Sequence, residues 1–518
     1  MFRDDSTQTG LSLSQSTSSI TVNVVPALTI LWHPDPTRIG SLFSFSDSGK
    51  DEVVFLSRNN PVFSFYCDKA APLADAYLSR QPILELAVRG HNLVLTPTPG
   101  AAIALDGKPL GARATLSSAD IARSPILTIG RRIALCLHFA RQPALSCPPD
   151  LGLLGNSDAM ATVRQSILAV APLSIPVLIR GETGTGKELT AQAIVSNGPR
   201  ASKPFVDVNI GALPENLAAA EIFGHERGAF TGAAQSRDGY FHEANGGTLF
   251  LDEIGLAGSD VQTALLRVLE TGEVRRLGST TSRSVDVRLI AATDSTTIDR
   301  AVEGEGFSQA LFHRLSASSI HLPPLRHRRE DLGVLLLHFL KEALALTGDV
   351  QRLETPPDAK RPWLSAEVIP VLAAAAWPGN VRQLGNFAME IAIANRSLPL
   401  ARVPQKLLES LRPGTPVEAS PFAPPAMVPT RTERPSPTQV REALERNGFQ
   451  PAKAARELRV ARTTIYDHMR RDPDLRLLAN LSDEDFQRHV DDCNGDLQLL
   501  AKRLRVSYRA LQLRLKKG

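Results

Sequence analysis

The residues best suited to chemistry in this chain fall in two strings. The first is Gly181-Glu182-Thr183-Gly184-Thr185-Gly186-Lys187, which follows the apolar run Ile175 to Ile179 and precedes the helix-like run Glu188 to Val195. A glycine-rich turn between a strand and a helix lets backbone N–H groups and the helix N-terminus surround phosphates, and Lys187 adds a point charge. The strict pattern asks for Ser or Thr after the lysine; Glu188 stands there, which leaves one metal contact open. A structural glycine loop is the alternative. The second string is Gly246-Gly247-Thr248-Leu249-Phe250-Leu251-Asp252-Glu253, an apolar strand ending in two acids. There an Asp can hold Mg²⁺ and a Glu can polarise an attacking water. An acidic pair in that position also caps a following helix; its pairing with Lys187 is what favours ATP phosphoryl transfer. Because such transfer rests on positioning and charge neutralisation, an arginine from a neighbouring subunit can complete the site.

The elements that must hold these strings follow from composition. A chain of 518 residues, 43% hydrophobic and 22% charged, has room for three or four domains at ~100 to 200 residues each. Collagen-like, coiled-coil and wholly disordered classes are excluded. Cys67, Cys136, Cys147 and Cys493 are scattered without CxxC spacing, which argues against a zinc site or disulfide scaffold and suits a reducing compartment. No run reaches the ~18 apolar residues of a membrane span and no secretory leader opens the chain, so a cytoplasmic protein is expected. The net charge of +4 is unevenly spread: Ser436 to Gly518 carries 17 Lys+Arg against 12 Asp+Glu, and Lys502 to Gly518 holds seven bases and no acid. A solvated helix face explains one such run; a phosphate-bearing partner explains them together.

Residues 1–19 read as a Ser/Thr-rich disordered tail. Residues 20–145 hold short β-rich runs (Leu28 to Trp32, Val53 to Leu56, Leu84 to Val88, Leu93 to Leu95, Ile126 to Ile129, Ile133 to Phe139) separated by turn signals, the pattern of an all-β sandwich or barrel. From Leu154 apolar helices alternate with buried strands, which is α/β. Arg412 to Pro437 has eight prolines in 26 residues and reads as a semi-rigid linker. The remainder is helical and repeats itself: Ala454 to Val460 is echoed by Leu500 to Val506, and Asn447-Gly448 by Asn494-Gly495.

Residues Leu154 to about Ala401 resemble the AAA+ domain of bacterial enhancer-binding proteins, the activators of sigma-54 RNA polymerase. The string Glu221 to Ala233 contains Gly228-Ala229-Phe230-Thr231-Gly232-Ala233, the GAFTGA sequence that marks the family. The resemblance implies that these six residues form a loop tip touching the sigma factor. It further implies roles for Asn209, which restrains the catalytic Glu253; for the sensor strand Arg288 to Asp294, with Thr293 and Asp294 near the γ-phosphate; for Arg314 in Leu311-Phe312-His313-Arg314-Leu315 as the trans-acting finger; and for Arg382 in Trp377-Pro378-Gly379-Asn380-Val381-Arg382 as the lid arginine. Two positions depart from the pattern. Asp294 stands where Asn is usual, and Ser308 replaces a second arginine after Phe307, so turnover is expected to be slow or differently regulated.

Val440 to Arg471 resembles a Fis-type helix-turn-helix, with a recognition helix from Arg462 to Arg471. Ile465 and Met469 would face its core, leaving Arg462, Thr463, Thr464 and His468 for the DNA groove and Arg470 and Arg471 for phosphates; a packing bundle is the alternative. The second copy either extends the DNA footprint or dimerises. Leu28 to Phe139 resembles a forkhead-associated domain, an 11-stranded sandwich that binds phosphothreonine peptides. Its carriers are Leu56-Ser57-Arg58 and Leu78-Ser79-Arg80, with Arg58, Ser79 and Arg80 as phosphate donors. Gln81-Pro82 stands where that family has a histidine, and ordinary surface arginines are the alternative.

The expected architecture is therefore multidomain: the sandwich at 20–145, an α/β AAA+ P-loop ATPase core at 150–322, its helical lid at 323–408, a linker at 409–437, then an all-α helix-turn-helix at 438–472 with a repeat at 473–518. The expected function is a sigma-54-dependent activator that binds upstream double-stranded DNA and hydrolyses ATP with Mg²⁺ in a homo-oligomeric ring, a hexamer. Its partners are the sigma-54 polymerase holoenzyme and a phosphothreonine protein that regulates it, with no membrane. A repressor or scaffold with a decayed ATPase, and an AAA+ machine acting on another target, are the rival readings.

Overall fold

Strand alternation decides the first layers. In a computed structural model of the chain, the described residues are 23–46, 51–64, 70–90, 92–142, 151–230, 233–294, 307–355, 360–396, 398–411 and 437–447, with 454, 457, 458 and 465. Ten strands, β1 (Asn23–Trp32), β2 (Leu42–Ser44), β3 (Val53–Leu56), β4 (Leu84–Arg89), β5 (Asn92–Pro97), β6 (Ile103–Leu105), β7 (Lys108–Pro109), β8 (Ala114–Leu116), β9 (Ile126–Ile129) and β10 (Ile133–Gln142), form two sheets. Their orders are β2-β1-β10-β9-β6-β7 and β3-β4-β5-β8. The described residues thus hold ten strands where the forkhead-associated resemblance implied eleven. Along β10, Ile133, Leu135 and Leu137 point into the core between the sheets. Ala134 and Cys136, on the opposite face, belong to a second core shared with helices far along the chain. A sheet covered on both faces needs apolar residues at successive positions, which is why Ile133 to Leu137 does not alternate with polar ones. One short helix, α1 (Ser118–Ile121), is closed by a capping box between Ser117 and Asp120.

The next layer is a parallel five-stranded sheet, β12-β13-β16-β11-β17, built from β11 (Val177–Arg180), β12 (Phe205–Asn209), β13 (Thr248–Asp252), β16 (Arg288–Thr293) and β17 (Ser318–His321). A small hairpin, β14 (Glu273–Arg275) with β15 (Ser282–Ser284), precedes β16. Helices α2 (Asp158–Val170), α3 (Lys187–Ser196), α4 (Glu215–Phe223), α5 (Tyr240–Glu243), α6 (Ser259–Thr271) and α7 (Gln309–Leu315) fill the crossovers. Period two again splits each strand. Leu249, Leu251, Leu289 and Ala291 face one core, while Phe250, Ile290 and Ala292 face the other. Parallel strands carry their loops at the carboxyl edge, so the loop after β11 and the acids ending β13 open on the same side of the sheet.

The lid comprises α8 (Leu332–Thr347), α9 (Ile369–Ala374), α10 (Asn380–Ala394) and α11 (Gln405–Ser410). Its core is continuous with the outer face of the six-stranded sheet, because Leu31, Trp32 and Ile39 pack with Leu336, Leu340, Leu364 and Ala366. Trp32 Nε1 donates to Leu364 O at 2.9 Å, and Ala366 N donates to Arg131 O at 3.0 Å. The approach of α8 to β1 requires glycine: a Cβ on Gly333 would lie 2.2 Å from Leu31 O.

The chain divides into two compact units, Met1–Val417 and Glu418–Gly518. In the second, α12 (Pro437–Arg446) buries Val440, Ala443 and Leu444 with Ala454 and Ile465. Ile465 is thus in a core, as its spacing predicts. Residues 1–19, most of the linker and the second helical repeat at 473–518 lie outside the described residues. No helix among the described residues is long and apolar enough to cross a membrane.

Candidate nucleotide site

The loop from Gly181 to Lys187 joins β11 to α3 through backbone conformations that favour glycine. Gly184 has φ +78° and Gly186, at the cap of α3, φ +104°. Lys187 turns back over the loop, donating to Gly181 O at 2.9 Å and Glu182 O at 3.3 Å. Burial lowers its pKa, opposed by the charges of Asp252, Asp294 and Glu253. The lysine is therefore a partly desolvated cation ringed by acids, a setting in which an arriving phosphate meets both charge and donors.

A cavity of about 550 Å³ opens above the loop. It is lined by Thr183 to Glu188 with Asn209, Asp252 and Glu253, and from the lid by Val381 and Arg382. Glu253 takes φ +55°, uncommon for a residue with a side chain, and its N–H donates to Asp252 Oδ1 at 2.9 Å. Asn209 and Asp252 are register partners at the ends of β12 and β13. Asn209 Oδ1 accepts from Ala212 N, and a Cβ on Gly211 would sit 2.3 Å from Glu253 Oε2 and 3.2 Å from Asn209 Oδ1, so the two side chains converge over that glycine. Glu188 lines the cavity rim while accepting from Gln192. Thr293 is buried at the end of β16, and its carbonyl accepts from Gly181 N at 3.2 Å; Asp294 follows it on the Lys187 side.

Two expected residues are engaged elsewhere. The Glu182 carboxylate accepts from Arg326 Nη1 and Nη2 at 2.7 and 2.5 Å and from Asn380 Nδ2 at 3.1 Å, tying the loop to the lid. The bonds from Arg326 hold its pKa below the usual carboxylate range. Arg314 does not join the cavity; it lies on α7, more than half exposed, 3.8 Å from Glu270. The sequence reading missed the lid contribution: Arg326 and Asn380 on Glu182, Arg328 Nη2 on Thr185 O, and Leu335, His338 and Phe339 of α8 in the cavity wall. Only Asn380, inside the quoted lid motif, carried a local signal.

Of the GAFTGA residues, Gly228, Ala229, Phe230 and Ala233 are described, while Thr231 and Gly232 lie outside the described residues. Gly228 N donates to Ala233 O, closing the base of the loop, and the Phe230 ring meets His225 edge-on at 5.1 Å. Arg276, on the β14–β15 hairpin, pairs with Glu226 at 3.1 Å and with Asp238, so both ends of this loop are pinned to one cation. On the sandwich, Arg58 N donates to Ser79 O at 2.8 Å, joining the two loops that carry Arg58, Ser79 and Arg80. Arg462, Thr463, Thr464, His468, Arg470 and Arg471 lie outside the described residues.

Comparison with known proteins bears on this geometry. The family model "Sigma-54 interaction domain" matches residues 153–321, and "AAA+ ATPase lid domain" matches 326–418. The DNA-binding transcriptional regulator NtrC of Salmonella typhimurium is 44% identical over 275 residues, 53% of this chain and 56% of that one. The transcriptional regulatory protein ZraR of Klebsiella oxytoca is 40% identical over 338 residues, 63% of this chain and 71% of that one. The chain thus spans about half the length of the NtrC relatives it matches. Among solved structures, NtrX from Brucella abortus in complex with ATP aligns with 70% of this chain and 69% of that one at 30% identity and a TM-score of 0.43.

Proposed function

The chain belongs to the sigma-54-dependent transcriptional regulators of the NtrC and ZraR type, with an AAA+ ATPase domain, and on that premise we propose an ATP-driven activator that remodels the sigma-54 polymerase closed complex. The observation that carries the reading is the convergence of Lys187, Asp252, Glu253, Asn209 and Arg382 on one cavity. The loop amides of Gly181 to Gly186, the start of α3 and Lys187 hold the phosphates of ATP, with Glu182 and Glu188 shaping the loop on either side. Mg²⁺, when bound, neutralises phosphate charge, and Asp252 is the carboxylate that would hold it. Glu253 orients water for attack, Asn209 restrains Glu253, and Thr293, Asp294 and Arg382 read the γ-phosphate.

Arg314 acts on a neighbour's nucleotide, which requires a ring, a hexamer. Its exposure, and its place outside the lining of its own cavity, support that role. Trans arginines contribute on the order of 10³ to 10⁵ in turnover. Specific ATPase activity should therefore rise with protein concentration and vanish in Arg314→Ala, with Glu253→Ala as the blank; Arg314→Ala retaining wild-type turnover would sink the ring. Phe230→Ala should abolish promoter opening while ATP hydrolysis continues, since Gly228 to Ala233 is the sigma-factor contact. A repressor or scaffold with a slow ATPase is the second reading. It draws on Asp294, which adds negative charge beside Lys187, and on Ser308, which serves as the cap of α7 rather than as a phosphate ligand.

The C-terminal helices bind an upstream DNA site through Arg462, Thr463, Thr464 and His468, with Arg470 and Arg471 on phosphates. Phosphothreonine recognised by Arg58, Ser79 and Arg80 on a forkhead-associated-like sandwich regulates the ATPase. Binding of a phosphothreonine peptide that Arg58→Ala abolishes is the test of that last step.

A further inference from the structure

Between the sandwich and the lid lies a second concavity, of about 420 Å³. Ser79, Tyr77, Arg131 and Arg132 line it from the sandwich, and Lys360 and Arg361 from the lid segment that leads to Leu364 and Ala366. Its charge is one-sided. Asp75, the one acid in the wall, is almost fully buried and neutralised by Arg132 at 2.9 Å. Arg131 shares Glu367 at 3.1 Å across the sandwich–lid seam, in an exposed pair that competes weakly with a better ligand. Lys360 and Arg361 are exposed, and among the described residues no carboxylate within ion-pair distance answers them.

We propose that this cleft is a composite site for an acidic, phosphate-bearing peptide, gripped on one wall by the sandwich at Ser79 and Arg131 and on the other by Lys360 and Arg361 of the lid. The inference rests on the phosphothreonine reading of the sandwich and extends it: part of the recognition surface belongs to the ATPase. The concave shape does not suit a flat lipid surface. Nor does the wall offer bases a run of stacking platforms, because Tyr77 is its one aromatic residue and one face of that ring is occupied by the Arg132 guanidinium at 4.5 Å. What remains is a groove of separated cations beside a hydroxyl-bearing loop, which suits an extended chain whose phosphate and acidic side chains are spaced along it. Because one wall is the lid that also carries Arg382, a bound peptide touches the nucleotide-binding half of the molecule directly.

The test uses the full-length protein and two fluorescent peptide pools, one with phosphothreonine followed by two glutamates, the other identical but unphosphorylated, read by anisotropy. The Lys360→Ala/Arg361→Ala double variant should bind the phosphorylated pool about three- to tenfold more weakly, the size expected for two partly solvated charge contacts. Both positions are exposed, so the fold is not at stake, and the loss should shrink as salt is raised. If Arg58→Ala abolishes binding while the double variant binds as wild type does, the composite cleft is refuted and the phosphothreonine reading survives. If both pools bind equally and the double variant weakens both, the phosphothreonine reading fails, and with it the phosphate-bearing occupant proposed for the cleft. If neither pool binds the wild type, the cleft proposal falls.

Discussion

The contact between the phosphate loop and the lid makes a sharp prediction at Gly184. Its carbonyl accepts from Val381 N at 3.0 Å and Arg382 N at 3.4 Å, and a Cβ there would stand 2.2 Å from Gly379 O and 3.1 Å from Arg382 Cβ. Three costs add in Gly184→Ala. A left-handed residue with a side chain costs roughly 1–2 kcal/mol. A clash with a backbone oxygen cannot be relieved by a rotamer change, so the lid must move. Moving it strains or breaks two hydrogen bonds, each worth about 0.5–1.5 kcal/mol net. Together these place about 2–5 kcal/mol against the closed lid, which is on the order of 30-fold to more than 1,000-fold in affinity for any ligand needing Arg382 in place. The assay is titration of a fluorescent ATP analogue, with circular dichroism as a check on the fold. Gly246→Ala is the control, because Gly246 has a similar φ of +77° but nothing within 4 Å of the added carbon. It should carry the strain alone, roughly 1–2 kcal/mol or about five- to thirtyfold at most, and lose less than Gly184→Ala. The reasoning is refuted if Gly184→Ala binds within threefold of wild type, or if Gly246→Ala loses as much.

Arg326→Ala should weaken nucleotide binding severalfold by freeing Glu182 from the lid, and the loss should be greatest near neutral pH. The paired carboxylate, held below its usual range, supports the closed lid above its unfolded-state value and loses that support only as pH falls through the lowered pKa, so titrations at pH 7 and pH 5.5 should show the same loss and only more acidic ones a smaller loss. Glu330, in the seam between lid and sandwich, is pushed up to about 8 by burial and by the neighbouring Asp331 charge. The folded state then holds a proton that the unfolded chain releases above about 4.5, so this group's stabilisation falls as pH rises toward 8; Glu330→Gln should flatten the decline in thermal midpoint between pH 6 and 8.5. Gly333→Ala should cost the ~1–3 kcal/mol of overpacking, since its new carbon meets the Leu31 backbone, and lower the thermal midpoint accordingly; a midpoint unchanged within a degree would mean that α8 and β1 do not pack as described.

The legible parts of this molecule are those whose signal is local in the chain. Gly181 to Lys187, Asp252 and Glu253 could be read because a turn needing positive φ and a strand end each impose a residue type within a few positions; Arg382 was legible only through the family resemblance of its motif. The β-rich runs were legible for the same reason, but not the burial of Ile133 to Leu137 on both faces, because nothing local says what lies on the second face. Glu182 was read as a phosphate-loop residue because its position is right, yet its carboxylate is held by Arg326 and Asn380, nearly 150 and 200 positions later. No local pattern encodes a partner that distant. The same holds for Gly333: an isolated glycine in an apolar helical run reads as a tolerated weakness, and only the strand lying across it explains why no side chain fits.

These long-range contacts give the lid three attachments of unequal strength. To the phosphate loop it is held by polar contacts: the Glu182 bonds and two amides on Gly184. To the α/β core it is held by Asp331, buried at the head of α8, which accepts from Asn156 N, Ser157 N and Ser157 Oγ at 2.5 to 2.7 Å. To the sandwich it is held by an apolar core in which Leu31, Trp32, Ile39, Ile126, Ala134 and Cys136 are all buried. Exposing one such large side chain costs about 1.5–3 kcal/mol, so parting the lid from the sandwich costs more than releasing it from the phosphate loop. If nucleotide exchange moves the lid, the loop contacts yield first and the sandwich travels with the lid as one body. A signal captured by the sandwich then needs no long relay to reach nucleotide, because the helix that carries Gly333 against β1 also sets Leu335, His338 and Phe339 into the cavity wall.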